Sequence, residues 1–283
     1  MNHINKAGDN QAQVAVVTGA GSGIGKELIL QLAAMGYGIA AADINTEQLA
    51  AAAAETSKLT NAQVKTYRLN VAEEEAVNQF AQQVEADFGR VDVVINNAGI
   101  TRMGEFKNTS PDAFRAVIDV NFWGVIYGSR AFLPALEKTA GSLINISSVF
   151  GFIGVAGQTS YCASKFAVRG FTEALRQELH DSPMHIASVH PGGIRTNIAR
   201  SAEVDEEGID KDAVVARMEE KALKMPASKA AGIIINGIQK RKPRILIGSD
   251  ARMIDIFQRL FPTAYSAVLS MFGGKDLINP PRQ

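Results

Sequence analysis

The chain has 283 residues, 46% of them hydrophobic and 20% charged, the composition of a globular protein with room for a sizeable core. Lysine plus arginine and aspartate plus glutamate balance at 29 each, so the basic excess that a nucleic-acid binder carries is missing. A single cysteine, Cys162, excludes an intrachain disulfide and fits a reducing compartment.

Met1–Gln13 is polar and lacks the apolar core of a signal peptide, and no run approaches the ~18 consecutive apolar residues of a membrane span. A soluble cytoplasmic protein is therefore expected, with residues 1–12 extended or disordered. His3, His180, His185 and His190 have no zinc-binding spacing, and no metal is expected.

Val14–Val17 reads as a fully buried strand. Ile24, Leu28, Ile29, Leu32 and Met35 follow at helical spacing, with Gly36 as the stop. Between them runs Thr18-Gly19-Ala20-Gly21-Ser22-Gly23-Ile24-Gly25. The pattern is T-G-x-x-x-G-x-G; G-x-G-x-x-G fails because Ile24 takes the place of its last glycine. Glycines let the backbone turn tightly against a pyrophosphate, and a helix starting near Ile24 aims free N–H groups at the anion. Thr18, Gly19, Ser22, Gly23, Ile24 and Gly25 are thus candidate cofactor contacts.

Tyr37–Ala42 reads as the second strand, and Asp43 ends it, 24 residues after Gly19. A carboxylate there accepts hydrogen bonds from adenosine ribose hydroxyls and repels a 2′-phosphate. Ile44 and Asn45 follow with no arginine, so NAD is favoured and NADP is the alternative. A competing role for Asp43 is that of helix N-cap for the segment Thr46–Glu55. Val64–Leu69 is the third strand. Asn70 with Glu73 resembles a capping box, and Glu73–Glu75 sit well at a helix start. Val77, Phe80, Ala81, Val84 and Phe88 form the helix's apolar face.

Val91–Ile95 is the fourth strand and leads into Asn96-Asn97-Ala98-Gly99. Asp112–Leu136 is a long helical pattern interrupted by the polar Asn121. Ser142–Ile146, Ile186–Val189 and Arg244–Ile247 are further strands, and Tyr161–Leu179 is a helix. Alternating strands and helices imply a parallel α/β sheet covered on both faces: a Rossmann-like, doubly wound single domain over residues 13–249. Residues 200–225 are charged, weakly periodic and punctuated by Gly208. They follow a strand end, where open α/β sheets place their crevice, and are expected to form a mobile lid.

Tyr161-Cys162-Ala163-Ser164-Lys165 puts a phenol and an ammonium on one helical face. A nearby cation lowers the pKa of a phenol, and a group titrating nearer the working pH is the better acid–base catalyst. Thirteen residues before Tyr161 stands Ser148, at the end of the fifth strand, placed to share a substrate oxygen with the tyrosine. Ser147 is the competitor, but strand alternation turns it to the opposite face. Cys162 has no histidine partner at a recognisable spacing and reads as a structural thiol.

Taken together, these motifs resemble the short-chain dehydrogenase/reductase family: T-G-x-x-x-G-x-G, N-N-A-G, Asn121 in the long helix, serine before Y-x-x-x-K, and Pro191-Gly192-Gly193-Ile194-Arg195-Thr196 occur in the family's order over about Gln13 to Ala199. The resemblance implies that Tyr161 exchanges a proton with a substrate hydroxyl or carbonyl. Lys165 lowers the tyrosine pKa and binds the nicotinamide ribose, Ser148 polarises the substrate oxygen, and Asn121 helps hold a water linking Lys165 to solvent. Pro191, Gly192, Ile194 and Thr196 flank the nicotinamide; Asn97, Ala98 and Gly99 lie on the adenosine side; Asn70 and Val71 lie by the adenine, with Asn70 replacing the family's usual aspartate.

The implied reaction is NAD(H)-dependent interconversion of a secondary alcohol and a ketone. The rival readings are an NADP(H)-dependent reductase of oxoacyl, steroid-like or other lipophilic carbonyls, and a non-catalytic nucleotide sensor. Substrate contacts are expected from the segments after Gly99, Val149 and Thr196, and the apolar Val149–Val155 hints at a non-sugar substrate. A homodimer or homotetramer is expected through the long helices, drawing on Phe114, Val117, Ile118, Phe166, Phe171, Leu175 and Leu179. Residues 250–283 form an apolar extension (Ile254, Ile256, Phe257, Leu260, Phe261, Tyr265, Val268, Leu269, Met271, Phe272) broken at Pro262. Core, lid or subunit packing is its favoured role, and membrane-surface contact the lesser one.

Overall fold

The computed structural model describes residues 11–205 and 210–265. Its main sheet holds seven parallel strands: β1 (Val14–Thr18), β2 (Gly38–Asp43), β3 (Val64–Arg68), β4 (Val93–Asn96), β5 (Ser142–Ile146), β6 (His185–Pro191) and β7 (Arg244–Ile247). The spatial order is 3-2-1-4-5-6-7. The order reverses between β1 and β4, which opens a crevice at their C-terminal ends, the place where such sheets bind ligands.

Side-chain alternation explains the unbroken apolar runs. Ala15 and Val17 of β1 enter one core, whereas Val14 and Val16 enter the other. The first core is completed by α1 (Gly23–Ala34), α2 (Thr46–Leu59) and α8 (Ala227–Gln239), through Leu28, Leu32, Leu49 and Ile234. The second uses α3 (Glu74–Phe88) and α5 (Gly124–Thr139), where Phe80 meets Tyr67 and Phe132 edge-on at centroid distances of 5.0 and 5.5 Å. Leu175 and Leu179, at the end of α6 (Thr159–Glu178) and just past it, pack onto the same core.

Three local expectations change. The long helical pattern is α4 (Pro111–Ile118), a π-helical turn over Asp119–Trp123, and then α5. The widened turn carries the fully buried Asn121 and re-phases the helix at that point. The capping box is not formed: the N-cap of α3 is Glu73, and the Asn70 side chain instead accepts from Ala72 N–H at 3.2 Å and donates to Glu73 at 2.8 Å. Asp43 is not an N-cap either. Asn45 caps α2 by accepting from Gln48 N–H at 3.0 Å.

The lid region contains a regular helix, α7 (Lys211–Lys221), capped by Asp210. Val214 and Val215 pack with Met103, Ala199 and Ala202. Its approach is tied down by Arg102, which bonds Glu203 and Asp205, and by Thr109, which donates to Asp205 at 2.9 Å. Gly208 lies outside the described residues. Helix α9 (Ser249–Leu260) ends just before Pro262 and turns Ala251 and Asp255 inward while Met253, Ile256 and Leu260 are exposed. Val268, Leu269, Met271 and Phe272 lie outside the described residues, as do residues 1–10. No described helix is long and apolar enough to cross a membrane.

Candidate active site

The site is built from loops at the C-terminal ends of β1, β2, β4, β5 and β6. The glycine turn after β1 depends on glycine for close contacts. Gly19 (φ +65°) faces Ala98 so closely that a Cβ would lie 2.9 Å from its Cα, and a Cβ on Gly25 would lie 2.0 Å from the Gly19 carbonyl oxygen. Thr18 Oγ1 accepts from Asn97 and Ala98 N–H at 3.0 and 3.1 Å, and Asn97 Nδ2 donates to Thr18 and Gly19 carbonyls at 2.9 and 3.2 Å. Thr18 and Asn97 therefore staple the β1 and β4 loops together. Helix α1 starts behind this turn, and the Ser22 side chain makes no cap hydrogen bond, so the helix presents its first N–H groups at the crevice.

Asp43 is fixed against the same turn. Its Oδ2 accepts from Gly21 N–H at 2.8 Å and its Oδ1 from Asn45 N–H at 2.9 Å. Each oxygen keeps a lone pair for a further donor. Gly23 (φ +54°) meets Thr196, with a Cβ there 3.2 Å from Thr196 Cβ, so the glycine turn and the Pro191–Thr196 loop close on one another. Val71 is buried beneath Gly124. A helix N-terminus, a glycine-cleared turn and a pinned carboxylate are the donor set that a dinucleotide's pyrophosphate and ribose require.

The second half of the site gathers around Tyr161. The Ser148 side chain neighbours the Tyr161 phenol and opposes the rise in its pKa, and Phe150 N–H orients that serine by donating to its Oγ at 3.1 Å. Ser147 turns away and donates to the Lys165 carbonyl at 2.8 Å. Lys165 Nζ donates to the Ile146 carbonyl at 3.0 Å and lies 5.5 Å from the Tyr161 ring centroid. Asn121 is held by both ends of its amide: Oδ1 accepts from Ile100 N–H at 2.8 Å, while Nδ2 donates to the Ile100 carbonyl at 2.9 Å and Ser164 Oγ at 3.1 Å. Gly99 sits against Asn121 Oδ1 and Lys165 Nζ.

The electrostatics correct one expectation. Burial pushes the Tyr161 phenol up to about 12, with the Ser148 side chain pulling the other way, and burial pushes Lys165 down to about 8. Desolvation of the phenolate thus sets the direction, against the lowering expected from a nearby cation. Cys162 is buried and its thiol is raised by that burial, which opposes formation of the reactive thiolate.

Sequence reasoning passed over a supporting layer. Asn145 bridges Asn96 (2.9 Å) and Thr172 (3.0 Å) beneath the β4 and β5 ends. His190, fully buried and pushed down to about 3 by burial, holds the Ser148 carbonyl at 3.2 Å and Ser188 Oγ at 3.0 Å. Its ring packs on Phe152 at 4.2 Å, and the Arg244 guanidinium lies over the Phe152 ring at 4.4 Å. A buried histidine inside a strand carries no local signal of this role, because the carbonyl of Ser148 reaches it from the end of another strand. No cluster of three His, Cys, Asp or Glu side chains suited to a metal occurs among the described residues.

A family model described as short chain dehydrogenase matches residues 13–207. SadH of Mycobacterium tuberculosis, a protein named as an oxidoreductase, is 42% identical over 263 residues, 92% of this chain and 95% of that protein. A short-chain dehydrogenase/reductase from Burkholderia phymatum in complex with NAD superposes with a TM-score of 0.77 at 25% identity, covering 98% of this chain and 99% of that one. An alcohol dehydrogenase from Thermococcus sibiricus complexed with 5-hydroxy-NADP gives 0.72 at 26% identity over 84% and 96%.

Proposed function

Since this chain belongs to the short-chain dehydrogenase family, and so is an oxidoreductase that uses a nicotinamide dinucleotide, we propose that it interconverts a secondary alcohol and its ketone with NAD(H), using Tyr161 as the proton-transfer group. The observation that carries this reading is the gathering of Ser148, Tyr161 and Lys165 at one site, with Lys165 Nζ 5.5 Å from the Tyr161 ring centroid. A carbonyl oxygen seated between the Ser148 and Tyr161 hydroxyls accepts from both. When bound, the nicotinamide supplies or takes up the hydride at the carbonyl carbon.

The chain's own residues do the rest. In reduction, Tyr161 gives its proton to the oxygen as negative charge develops there, and a phenol at about 12 is fully protonated at neutral pH. In oxidation the phenol must first release its own proton to solvent, and the phenolate oxygen then takes the alcohol proton; the Lys165 charge favours that phenolate. Ser148 is pre-aimed by Phe150 N–H and needs no reorganisation. Asn121 holds the Ile100 backbone against the lysine side of the site.

Asp43 supports NAD(H) over NADP(H), because its pinned carboxylate opposes a 2′-phosphate. One observation favours the second reading: Arg68 is the register partner of Asp43 across β2 and β3, and it is exposed. The substrate is proposed to be a non-sugar alcohol or ketone, lined by the loops after Gly99, Val149 and Thr196. The domain limits of 13–249, a cytoplasmic location and a homodimer or homotetramer complete the proposal; exposed Trp123 and Phe166 supply apolar contact for the assembly.

A panel of secondary alcohols and ketones with both dinucleotides, read at the nicotinamide absorbance, tests this. Turnover with NAD(H) is expected, and Tyr161→Phe is expected to lower kcat by about 10²–10⁴-fold with NADH affinity unchanged. Near-wild-type turnover by the variant would refute the assignment.

A further inference from the structure

The backbone of Gly193, in the Pro191–Thr196 loop, is held from two sides. Its N–H donates to Asp250 Oδ2 at 2.7 Å, and its carbonyl accepts from Met225 N–H at 3.2 Å. Asp250 lies in the first turn of α9, 57 residues away, and Met225 closes the lid segment. Space around the carboxylate is cleared by glycine. A Cβ on Gly192 would lie 2.1 Å from Asp250 Oδ2, and one on Gly248 (φ +103°) would lie 2.0 Å from Oδ1. Gly193 itself has no room for a Cβ, which would meet the Ala222 carbonyl oxygen at 1.9 Å.

An acidic residue in a first helical turn stabilises any helix through the dipole. That role alone does not require two flanking glycines or a bond to a distant loop. The only hydrogen bond that the Asp250 carboxylate makes among the described residues is the one to Gly193, and no described cation pairs with it.

We infer that Asp250 is a positioning residue that locks the Pro191–Thr196 loop in the conformation that receives the nicotinamide half of the cofactor, so that the C-terminal helix takes part in cofactor binding. The inference rests on the reading of that loop as the nicotinamide wall. Asp250 fixes the loop through Gly193 N–H and touches neither cofactor nor substrate. The adenosine half is held elsewhere, at Asp43 and the glycine turn, and is independent of Asp250.

The test compares the affinities of the full chain for NADH and for ADP-ribose, which lacks the nicotinamide; if the wild type prefers NADPH, the pair becomes NADPH and 2′-phospho-ADP-ribose. Wild type is expected to bind the nicotinamide-bearing ligand more tightly. Asp250→Ala and Asp250→Glu are each expected to reduce that preference about tenfold, the effect of losing a charge-assisted hydrogen bond, with ADP-ribose affinity unchanged. Asp250→Glu keeps the charge at the helix start and moves only the acceptor, so it remains informative if the alanine variant folds poorly. Asp250→Asn keeps an acceptor oxygen in place and is expected to retain the preference. An undiminished preference in the alanine and glutamate variants, equal weakening of both ligands, or an asparagine variant as poor as alanine would overturn the positioning role. A wild type without any preference would overturn the reading of the loop itself, and the inference with it.

Discussion

Tyr161 and Lys165 are displaced in opposite directions by the same burial, to about 12 and about 8. The phenol therefore stays protonated across neutral pH, while the ammonium is present below about 8 and lost above it. Ketone reduction should show a level kcat/KM through neutral pH and a decline above about 8; a decline on the acid side of neutrality would contradict the assignment. His190 titrates with the opposite consequence for the fold. Its folded value, about 3, lies below the ordinary 6.5, so the folded chain binds fewer protons than the unfolded chain in that interval. Its stabilising contribution is full above about 6.5 and is lost as pH falls toward 3, with a slope of up to about 1.4 kcal/mol per pH unit. Urea unfolding of His190→Gln between neutral and mildly acidic pH should give a flatter dependence than wild type. His185, also lowered by burial, leaves a residual slope in the same direction. An unchanged slope would show that His190 is not the group responsible.

Helices and turns carry a second set of constraints. The α2 cap at Asn45 is an isolated local bond, and Asn45→Ala should cost about 0.5–2 kcal/mol in thermal or denaturant unfolding. Gly25 is different in kind, since a Cβ there would lie 2.0 Å from the Gly19 carbonyl oxygen. Gly25→Ala must open the turn, so dinucleotide affinity by titration should fall by at least about tenfold while the two cores remain intact. The glycine was legible from local sequence, because its contact lies within a few residues, whereas the cap was read at Asp43 and falls at Asn45. The π turn at Asp119–Trp123 was only half legible: the polar Asn121 in an apolar helix marked the place, but the extra residue in the turn answers to Ile100 and Ser164, which approach from other elements. The capping box at Asn70 failed for a local reason: its amide oxygen accepts from Ala72 N–H, one residue short of Glu73, and the helix begins after Glu73.

At the scale of the whole molecule, the long helices divide their apolar residues between core and surface. Val117 is fully buried and Leu175 and Leu179 serve the chain's own core, whereas Phe166 and Trp123 are exposed at 40% and 43%. Light scattering on a size-exclusion column should report a dimer or larger assembly, and Trp123→Glu with Phe166→Glu should shift it toward monomer by burying charge at the contact. A wild type that is monomeric at micromolar concentration would reject this assembly. Helix α9 is joined to the rest through Asp255 with Arg244 and through Asp250 with Gly193. That arrangement is why an apolar pattern in the sequence translates into a polar attachment with an apolar outer face.

The sequence by itself determined the alternation of strands and helices, the glycine turn, and the proposed catalytic group of Ser148, Tyr161 and Lys165. Each of these is written in short-range spacing: side-chain alternation in strands, a four-residue step on one helical face, glycines where the backbone must turn. The tertiary structure alone decided what those groups meet. It set the balance of desolvation against charge at Tyr161, placed His190 behind Ser148 and Arg68 beside Asp43, and brought Asp250 to Gly193 across 57 residues. Such contacts depend on the order of strands in the sheet and on burial, and neither has a local signature in the chain.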